Sequence, residues 1–288
     1  MMRTLLAVDG SDQSYEAARA LGHLAHAEQV IVLHALDVPQ PAYPMMMPEV
    51  ARDIYATVER GMREDGERLL ARVKSILPPN VGPVATRMEV GTPADAILTV
   101  AEQERTDLIV LGARGLGPIG EMVFGSVSHR VLTHGHCPTL VVNGPMRALR
   151  QALLSIQGPD DAAAATRFLA KKPFRESIEL TVLTVIPFAQ SLWPAGVSPS
   201  EAQQKQIIES AQRFVDNAVV TIANLGYRVS GATTLGAPSA AILGWAKETK
   251  PDLLLMGSRG RKAATRFLLG SVSHAVLHKT AWPVLIFR

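Results

Sequence analysis

Short apolar runs that are typical of β-strands alternate along the first half of the chain with segments whose apolar residues recur at helical spacing. The runs cover residues 4–8, 29–36, 85–90, 107–111 and 139–142. The fourth run is almost continuously apolar, which is typical of a strand that is covered on both faces. The regular alternation of strand and helix predicts an α/β fold, in which helices cover both faces of a parallel sheet.

The segments between these runs carry the signals of helices. The first helix is predicted to present one apolar face, formed by Ala17, Ala18, Leu21, Leu24 and Ala25. A loop rich in Pro and Met, residues 38–48, leads into a long helix that continues to about Ile76. Thr92 and Pro93 open a third helix as its cap residue and first-turn proline, with Asp95 at the positive end of the helix dipole.

The second half of the chain repeats the first. Residues 107–142 match 252–287 without a gap, and fourteen of these thirty-six positions are identical. The match extends upstream at the same offset of 145 residues, and the opening at Leu5 recurs at Leu153 with an offset of 148. A repeat of this length is a domain rather than a solenoid unit. The predicted domains are residues 1–145 and 146–288.

The composition fits two ordinary globular domains. Of 288 residues, 47% are hydrophobic and 19% are charged, and the net charge of +3 comes without a block of Lys and Arg that would suggest a nucleic-acid partner. Cys137 is the single cysteine, which excludes an intrachain disulfide framework and fits a reducing compartment. The apolar run before Asp9 is too short for a signal peptide, and no apolar stretch approaches the roughly 18 residues of a membrane span. We therefore expect a cytoplasmic protein with no membrane or nucleic-acid partner.

The position of a ligand depends on the order of the strands. Ligands of doubly wound sheets bind at the carboxyl ends of the strands, where the winding direction reverses. The pattern alone does not determine the order. With the order 3-2-1-4-5 in each half, Asp9 at the end of the first strand and Gly112 at the end of the fourth are neighbours at this point. We take that order, and hence two tandem five-stranded Rossmann-like sheets, as the expectation.

A glycine-rich loop follows the fourth strand, with the spacing Gly112, two residues, Gly115, nine residues, Gly125 and Ser126. Glycine permits positive φ and a close approach of backbone amides to phosphate. A helix that begins at Ser126 would add its positive end, together with the hydroxyls of Ser126 and Ser128. The alternative is that the glycines only turn the chain and Ser126 only caps the helix. The same spacing recurs in the second half, which favours phosphate binding.

This loop, the D-L-[IL]-[VL]-[LM]-G strand before it, the VSHxVL segment after it and the early strand that ends in Asp together resemble the universal stress protein family. The resemblance covers nearly the whole chain twice, so it implies a tandem, two-domain member. It implies an ATP site in the first half, where Asp9, with Ala7 beside it, contacts the adenosine. The backbone of Ala35, which follows His34, would form hydrogen bonds with the polar edge of the adenine. The ribose and phosphates are implied to lie against Leu111, Gly112, Arg114, Gly115, Gly125, Ser126, Val127 and Ser128.

The second half keeps the glycine-rich loop but differs from the first half at the end of its first strand. Gln157 stands where the first half has Asp9, and Pro159 replaces Ser11. Glutamine cannot offer two charged acceptor oxygens to a ribose. The counterparts of the other implied site residues are Val185, Gly257, Arg259, Gly260, Gly270, Ser271, Val272 and Ser273, with the added cations Arg261, Lys262 and Arg266. We expect this site to bind ATP more weakly than the first, or to select another anionic ligand.

Other candidate chemistry is less favoured. His129 and His274 follow the loop serines by three residues, which could suggest nucleophilic serine–histidine pairs. Phosphate binding already explains those serines, and the sequence places no acidic residue that could orient the histidines. His23 and His26 are expected on a solvated helix face rather than at a metal site. The run Met45–Met47 is expected to form a loop over the ligand site or a packing surface. No catalytic or metal-binding residue is predicted.

The leading functional hypothesis is an ATP-binding regulatory protein of the stress-response type with little turnover. Mg²⁺ is a candidate companion of the triphosphate. The alternatives are a slow ATPase or adenylyl-transferring enzyme of the adenine-nucleotide α-hydrolase fold, and an interaction scaffold that binds no ligand. The last strand of each half would leave an unpaired sheet edge. We therefore expect the two halves to pair through these strands, and a homodimer is a candidate assembly.

Overall fold

The computed structural model describes residues 1–39, 47–114, 125–187, 200–258 and 269–288. The strands are Arg3–Ala7 (β1), Gln29–Leu36 (β2), Val84–Val90 (β3), Leu108–Gly112 (β4), Thr139–Val142 (β5), Gln151–Ser155 (β6), Glu179–Ile186 (β7), Arg228–Leu235 (β8), Leu253–Gly257 (β9) and Val284–Phe287 (β10). The α-helices are Asp12–Ala20 (α1), Pro48–Ile76 (α2), Pro93–Gln103 (α3), Ser126–His134 (α4), Pro159–Ala170 (α5), Glu201–Ala223 (α6), Pro238–Thr249 (α7) and Ser271–Lys279 (α8). Strand and helix alternate in both halves, which confirms the predicted α/β class.

The strands of both halves form one sheet of ten. Its order is β3-β2-β1-β4-β5-β10-β9-β6-β7-β8. Each half therefore has the expected order 3-2-1-4-5, and the strands within a half are parallel. The two five-stranded sheets join into one through their last strands, because β5 and β10 pair antiparallel, with Leu285 opposite Leu140. Each strand satisfies the backbone groups that the other would leave exposed at a sheet edge.

Two apolar cores lie on opposite faces of this sheet. One packs α1, α2, α5 and α6 against one face, and the other packs α3, α4, α7 and α8 against the other. Alternate residues of β4 enter the two cores, with Val110 on one side and Ile109 on the other, both fully buried. The prediction that this strand is covered on both faces is confirmed. Both cores continue from the first half into the second.

The first helix is shorter than the apolar pattern predicts. α1 ends at Ala20, residues Leu21–His23 form a single 3₁₀ turn, and Leu24 is extended with φ −88° and ψ 155°. Leu24 makes an antiparallel bridge to Phe174 of the second half, and the backbone N–H of Ala25 donates to the carbonyl of Pro173 at 2.9 Å. Ala17, Ala18, Leu21 and Leu24 are buried as expected, and Ala25 is half-buried. Pairing between the halves overrides the local preference for helix.

The fold brings the ends of β1 and β4 together, because these strands are paired with Leu6 opposite Val110. The chain leaves β1 towards α1 on one face and leaves β4 towards α4 on the other, so the winding direction reverses between them. In the described ranges, no helix is both long enough and apolar enough to cross a bilayer.

Candidate functional site

Asp9 lies two residues after the end of β1 and is held by the start of α1. Its Oδ1 accepts hydrogen bonds from the backbone N–H and the hydroxyl of Ser11, at 3.0 and 2.6 Å. Ser11 is itself the N-cap of α1, where its hydroxyl oxygen accepts from the N–H of Ser14. Within the described part of the chain, Oδ2 of Asp9 has no hydrogen-bond donor, and the residue is half-buried. One carboxylate oxygen is therefore fixed, and the other can accept from a ligand.

The turn after Asp9 depends on a glycine that the sequence pattern did not single out. Gly10 has φ +85°, a conformation that residues with a Cβ rarely adopt. This left-handed residue redirects the chain between Asp9 and the N-cap Ser11. The site glycines Gly112 and Gly125 lie outside the positive-φ region, although such freedom was expected of the glycine loop. They serve close packing instead.

Gly112 ends β4 where the start of α1 crosses it. A Cβ on Gly112 would lie 2.9 Å from the carbonyl carbon of Gln13 and 3.0 Å from the nitrogen of Ser14. The side chain of Gln13 fastens the same turn, since its Oε1 accepts from the backbone N–H of Arg114 at 2.6 Å. The glycine therefore allows α1 to sit against the strand end and to hold the first residues of the loop.

Helix α4 begins at Ser126, as expected, with its amino end at this crevice. Gly125 is its N-cap and donates its N–H to the carbonyl of Ala113 at 2.9 Å. The first amides of a helix lack intrahelical acceptors and favour an anion. Ser126 is exposed and can contribute its hydroxyl. Ser128 is buried and donates its hydroxyl to the carbonyl of Gly112 at 2.8 Å, so it fastens α4 to β4 instead.

The second strand supplies the other wall of the crevice. In the register of the sheet Ala7 lies opposite Leu33, so Ala35 extends beyond the end of β1. Nδ1 of His34 donates to the carbonyl of Val8 at 2.9 Å, which fixes the chain just before Asp9. Among the described residues, no side chain donates to the carbonyl of Ala35. The carbonyl of Leu33 accepts from the N–H of Val8 at 2.9 Å, so the backbone groups of Ala35, two residues further, point to the same side, beyond the end of β1.

The second half reproduces the framework of this site. Ser273 donates its hydroxyl to the carbonyl of Gly257 at 2.7 Å, as Ser128 does to Gly112. Gly270, the N-cap of α8, donates its N–H to the carbonyl of Ser258 at 2.8 Å. The segment after the first strand differs. Gln157 stands in the place of Asp9, and its Nε2 donates to the carbonyl of Val185 at 3.1 Å.

Part of the expected site lies outside the described residues. These positions are Gly115, Arg259, Gly260, Arg261, Lys262, Arg266, Met45 and Met46. The structure does bring together Ala7, Asp9, Ala35, Leu111, Gly112, Arg114, Gly125, Ser126, Val127 and Ser128 around the ends of β1, β2 and β4 and the start of α4.

The two histidines that follow the loop serines meet each other. The rings of His129 and His274 are in edge contact with centroids 5.5 Å apart, and His278 lies 4.2 Å from His274. Burial lowers the pKa of His129 and His278, and the neighbouring imidazoles lower it further. In the described structure, no side-chain hydrogen bond joins Ser126 to His129. Sequence reasoning missed this cluster, although the histidine occupies the same position in both repeats.

Comparison with known proteins matches a sequence model of the universal stress protein family to residues 1–143 and 149–288. A universal stress protein of Mycolicibacterium smegmatis is 25% identical over 297 residues, which cover 99% of this chain and 96% of that protein. The crystal structure of a universal stress protein from Archaeoglobus fulgidus has the same fold, with a TM-score of 0.64, 21% identity and coverage of 99% of this chain and 95% of that chain.

A shorter Archaeoglobus fulgidus universal stress protein has been solved in complex with dAMP. It is 21% identical, with a TM-score of 0.36, and the match covers 49% of this chain and 98% of that chain. At this similarity, dAMP binding is a property of that protein.

Proposed function

We propose that this chain, which belongs to the universal stress protein family, binds an adenine nucleotide in its first half. ATP is the expected ligand, and the expected role is regulatory with little turnover. One observation carries the proposal. Asp9 presents an uncommitted carboxylate oxygen in the same crevice as the open backbone of Ala35 and the amino end of α4. An adenosine phosphate has a base, a ribose and phosphates, and each can be bound by one of these three groups.

Each group matches one part of the ligand. The backbone of Ala35 can pair with the polar edge of an adenine, and Oδ2 of Asp9 can accept from a ribose hydroxyl. The first amides of α4 and the hydroxyl of Ser126 face the phosphates, where the helix dipole favours negative charge. Arg114 and Gly115 are proposed to complete this phosphate site from the loop.

The proposed Mg²⁺ would arrive with the nucleotide. In the described ranges, no group of three His, Cys, Asp or Glu side chains is arranged to hold a metal ion. A triphosphate brings its own oxygen ligands for Mg²⁺. The ion would neutralise part of the phosphate charge.

Asp9→Asn tests the proposal. The substitution keeps the size of the side chain but removes its charge, so a charged hydrogen bond to the ribose becomes neutral. Hydrogen bonds to charged groups contribute about 1.5–3 kcal/mol, which corresponds to about a tenfold to hundredfold loss of affinity for ATP. Calorimetric titration of the intact chain measures this loss.

Asp12→Asn is the matched control. It removes the same charge three residues away, from the exposed first turn of α1, and should leave the affinity within about twofold. Equal affinities for ATP in the wild type and Asp9→Asn would refute the assignment. Phosphate release from ATP at steady state, measured on the same samples, tests whether turnover is low.

We further propose that the two halves stay paired in solution. The support is a set of contacts across the seam between β5 and β10. Asn143 donates its side-chain N–H groups to the carbonyls of Thr280 and Trp282, at 3.1 and 2.9 Å. On the opposite face, Lys171 of the second half pairs with Asp107 of the first at 2.5 Å. A homodimer of the full chain would need a different surface.

A further inference from the structure

The two copies of the site carry the same two side-chain types in exchanged positions. The offset of 148 residues pairs Asp9 with Gln157 and Gln13 with Asp161. The first copy therefore has an acid after its first strand and an amide at the start of its first helix. The second copy has the amide after the strand and the acid in the helix. The exchange keeps the composition of the site but changes which groups face the crevice.

Gln157 uses its amide inside the protein. Its Nε2 donates to the carbonyl of Val185 at 3.1 Å. Leu5 lies opposite Ile31 in the first half and Leu153 opposite Thr181 in the second, so Val185 is the register counterpart of Ala35. The amide of Gln157 thus binds the carbonyl that corresponds to the proposed adenine-reading position. An amide N–H is the same kind of donor as the exocyclic amino group of adenine.

Asp161 stabilises this arrangement from the other side. Its Oδ2 accepts from the backbone N–H of Gln157 at 3.0 Å. Its Oδ1 packs against the end of β9, only 2.1 Å from the point where a Cβ on Gly257 would stand. In the first copy the neutral amide of Gln13 lies beside this strand end. The second copy therefore places a carboxylate beside the turn that leads to the phosphate-binding helix, where it repels a phosphate.

The backbone differs at the same place. Gly158 is extended, with φ −173°, whereas its counterpart Gly10 has φ +85°. The turn that positions Asp9 towards a ligand is therefore absent after Gln157. Side chains and backbone of the second copy therefore both depart from the arrangement that presents Asp9 in the first copy.

We infer that Gln157 is an internal occupant of the second adenine site, so that the chain binds one nucleotide, in its first half. This inference rests on the proposed function of the first half. Gln157 and Asp161 determine the selectivity of the second copy. The amide fills the position of the base, and the carboxylate disfavours the phosphates.

The test is the number of ATP molecules bound per intact chain, measured by calorimetric titration. The wild type should bind one. The exchange Gln157→Asp with Asp161→Gln gives the second copy the arrangement of the first and should raise the number to two. The mirrored exchange in the first copy, Asp9→Gln with Gln13→Asp, should lower it to zero.

Thermal melting establishes that each variant is folded. Gln157→Ala is the milder alternative if the exchange in the second copy unfolds the protein. It frees the Val185 carbonyl without adding a charge, and a second, weaker binding event should appear.

The outcomes separate this inference from the proposed function. Two ATP molecules on the wild type would overturn the inference and leave the first site intact. One molecule on the wild type and on both folded second-copy variants would overturn the role of Gln157. No molecule on the wild type but one on the second-copy exchange would overturn the proposed function and support the role of Gln157 in closing the second site. No binding to either would overturn both.

Discussion

At the scale of residues, the glycines that end β4 and β9 act through packing. Gly112→Ala would bring a Cβ to 2.9 Å from the backbone of Gln13, closer than real Cβ contacts come. Overpacking of this kind costs typically about 1–3 kcal/mol. We expect the free energy of unfolding, measured by urea denaturation, to fall by about that amount, and the affinity for ATP to fall because α1 is displaced.

Gly144→Ala is the control for that substitution. A Cβ at Gly144 meets no atom within 4 Å, and its φ lies outside the positive region. A compatible Gly→Ala change is neutral or stabilises by about 0.4–1 kcal/mol, since it restricts the unfolded chain. Equal unfolding free energies for the two variants would show that the close contact at Gly112 relaxes without cost.

The sequence pattern located the strand-end residues but not their partners. Asp9, Gly112 and Ser126 stand at boundaries between apolar runs and polar turns, which local periodicity reveals. The contact between Gln13 and Arg114 joins residues 101 positions apart, and no local pattern encodes it. The repeat itself showed that Gln157 differs from Asp9, but only the three-dimensional register shows that its amide binds Val185.

At the scale of elements, α4 and α8 meet through their histidines. Burial, followed by the charges of His274 and His134, lowers the pKa of His129. Burial, followed by the charges of His274 and His129, lowers that of His278. Of the other charged groups on these helices, Arg130 pairs with Asp95 of α3 at 2.7 Å, and Lys279 is also positive. The contact between the helices therefore disfavours protonation of either imidazole.

This arrangement predicts that the protein loses stability in mild acid. A depressed pKa in the folded state means that the unfolded chain, with imidazoles near 6.5, binds more protons in the interval between the two values. The free energy of unfolding should therefore fall as pH decreases from about 6.5. Urea denaturation at a series of pH values measures the slope.

His129→Gln should flatten this pH dependence, because it removes one titrating group and relieves the repulsion on His278. His26→Gln is the control, since His26 is exposed and lies outside the cluster. A slope that stays the same in His129→Gln would show that other groups cause the acid sensitivity.

The bounds of the elements show where local periodicity fails. β2 and β5 begin and end at the expected residues, because their apolar runs have sharp polar limits. α1 ends early because Leu24 pairs with Phe174 across the seam. The first case depends on local signals, and the second on a partner 150 residues away.

At the scale of the molecule, β5 and β10 pair with each other, so neither is left as an unpaired edge strand of its half. The isolated first half, residues 1–145, would expose β5 with its unpaired backbone groups. We expect it to dimerise through this strand, since β5 and β10 are similarly apolar and a two-fold contact uses the same surface on both partners. Sedimentation velocity over a range of concentrations measures the association.

The intact chain at the same concentrations is the reference. Its β5 is already paired with β10, so it should not associate through this edge. A folded first half that remains monomeric at high concentration would count strongly against pairing by this strand.

The antiparallel pairing of β5 and β10 places the two ligand crevices on opposite sides of the molecule. Because all strands of one half run opposite to those of the other, their carboxyl ends open at opposite margins of the sheet. A ligand at the first crevice and one at the second could therefore never touch. A partner protein that approaches one margin would meet a single crevice. If only the first crevice binds a nucleotide, a partner protein can distinguish the ATP-bound from the ATP-free protein only at that margin of the sheet. The surface at the other margin is then the same whether ATP is bound or not.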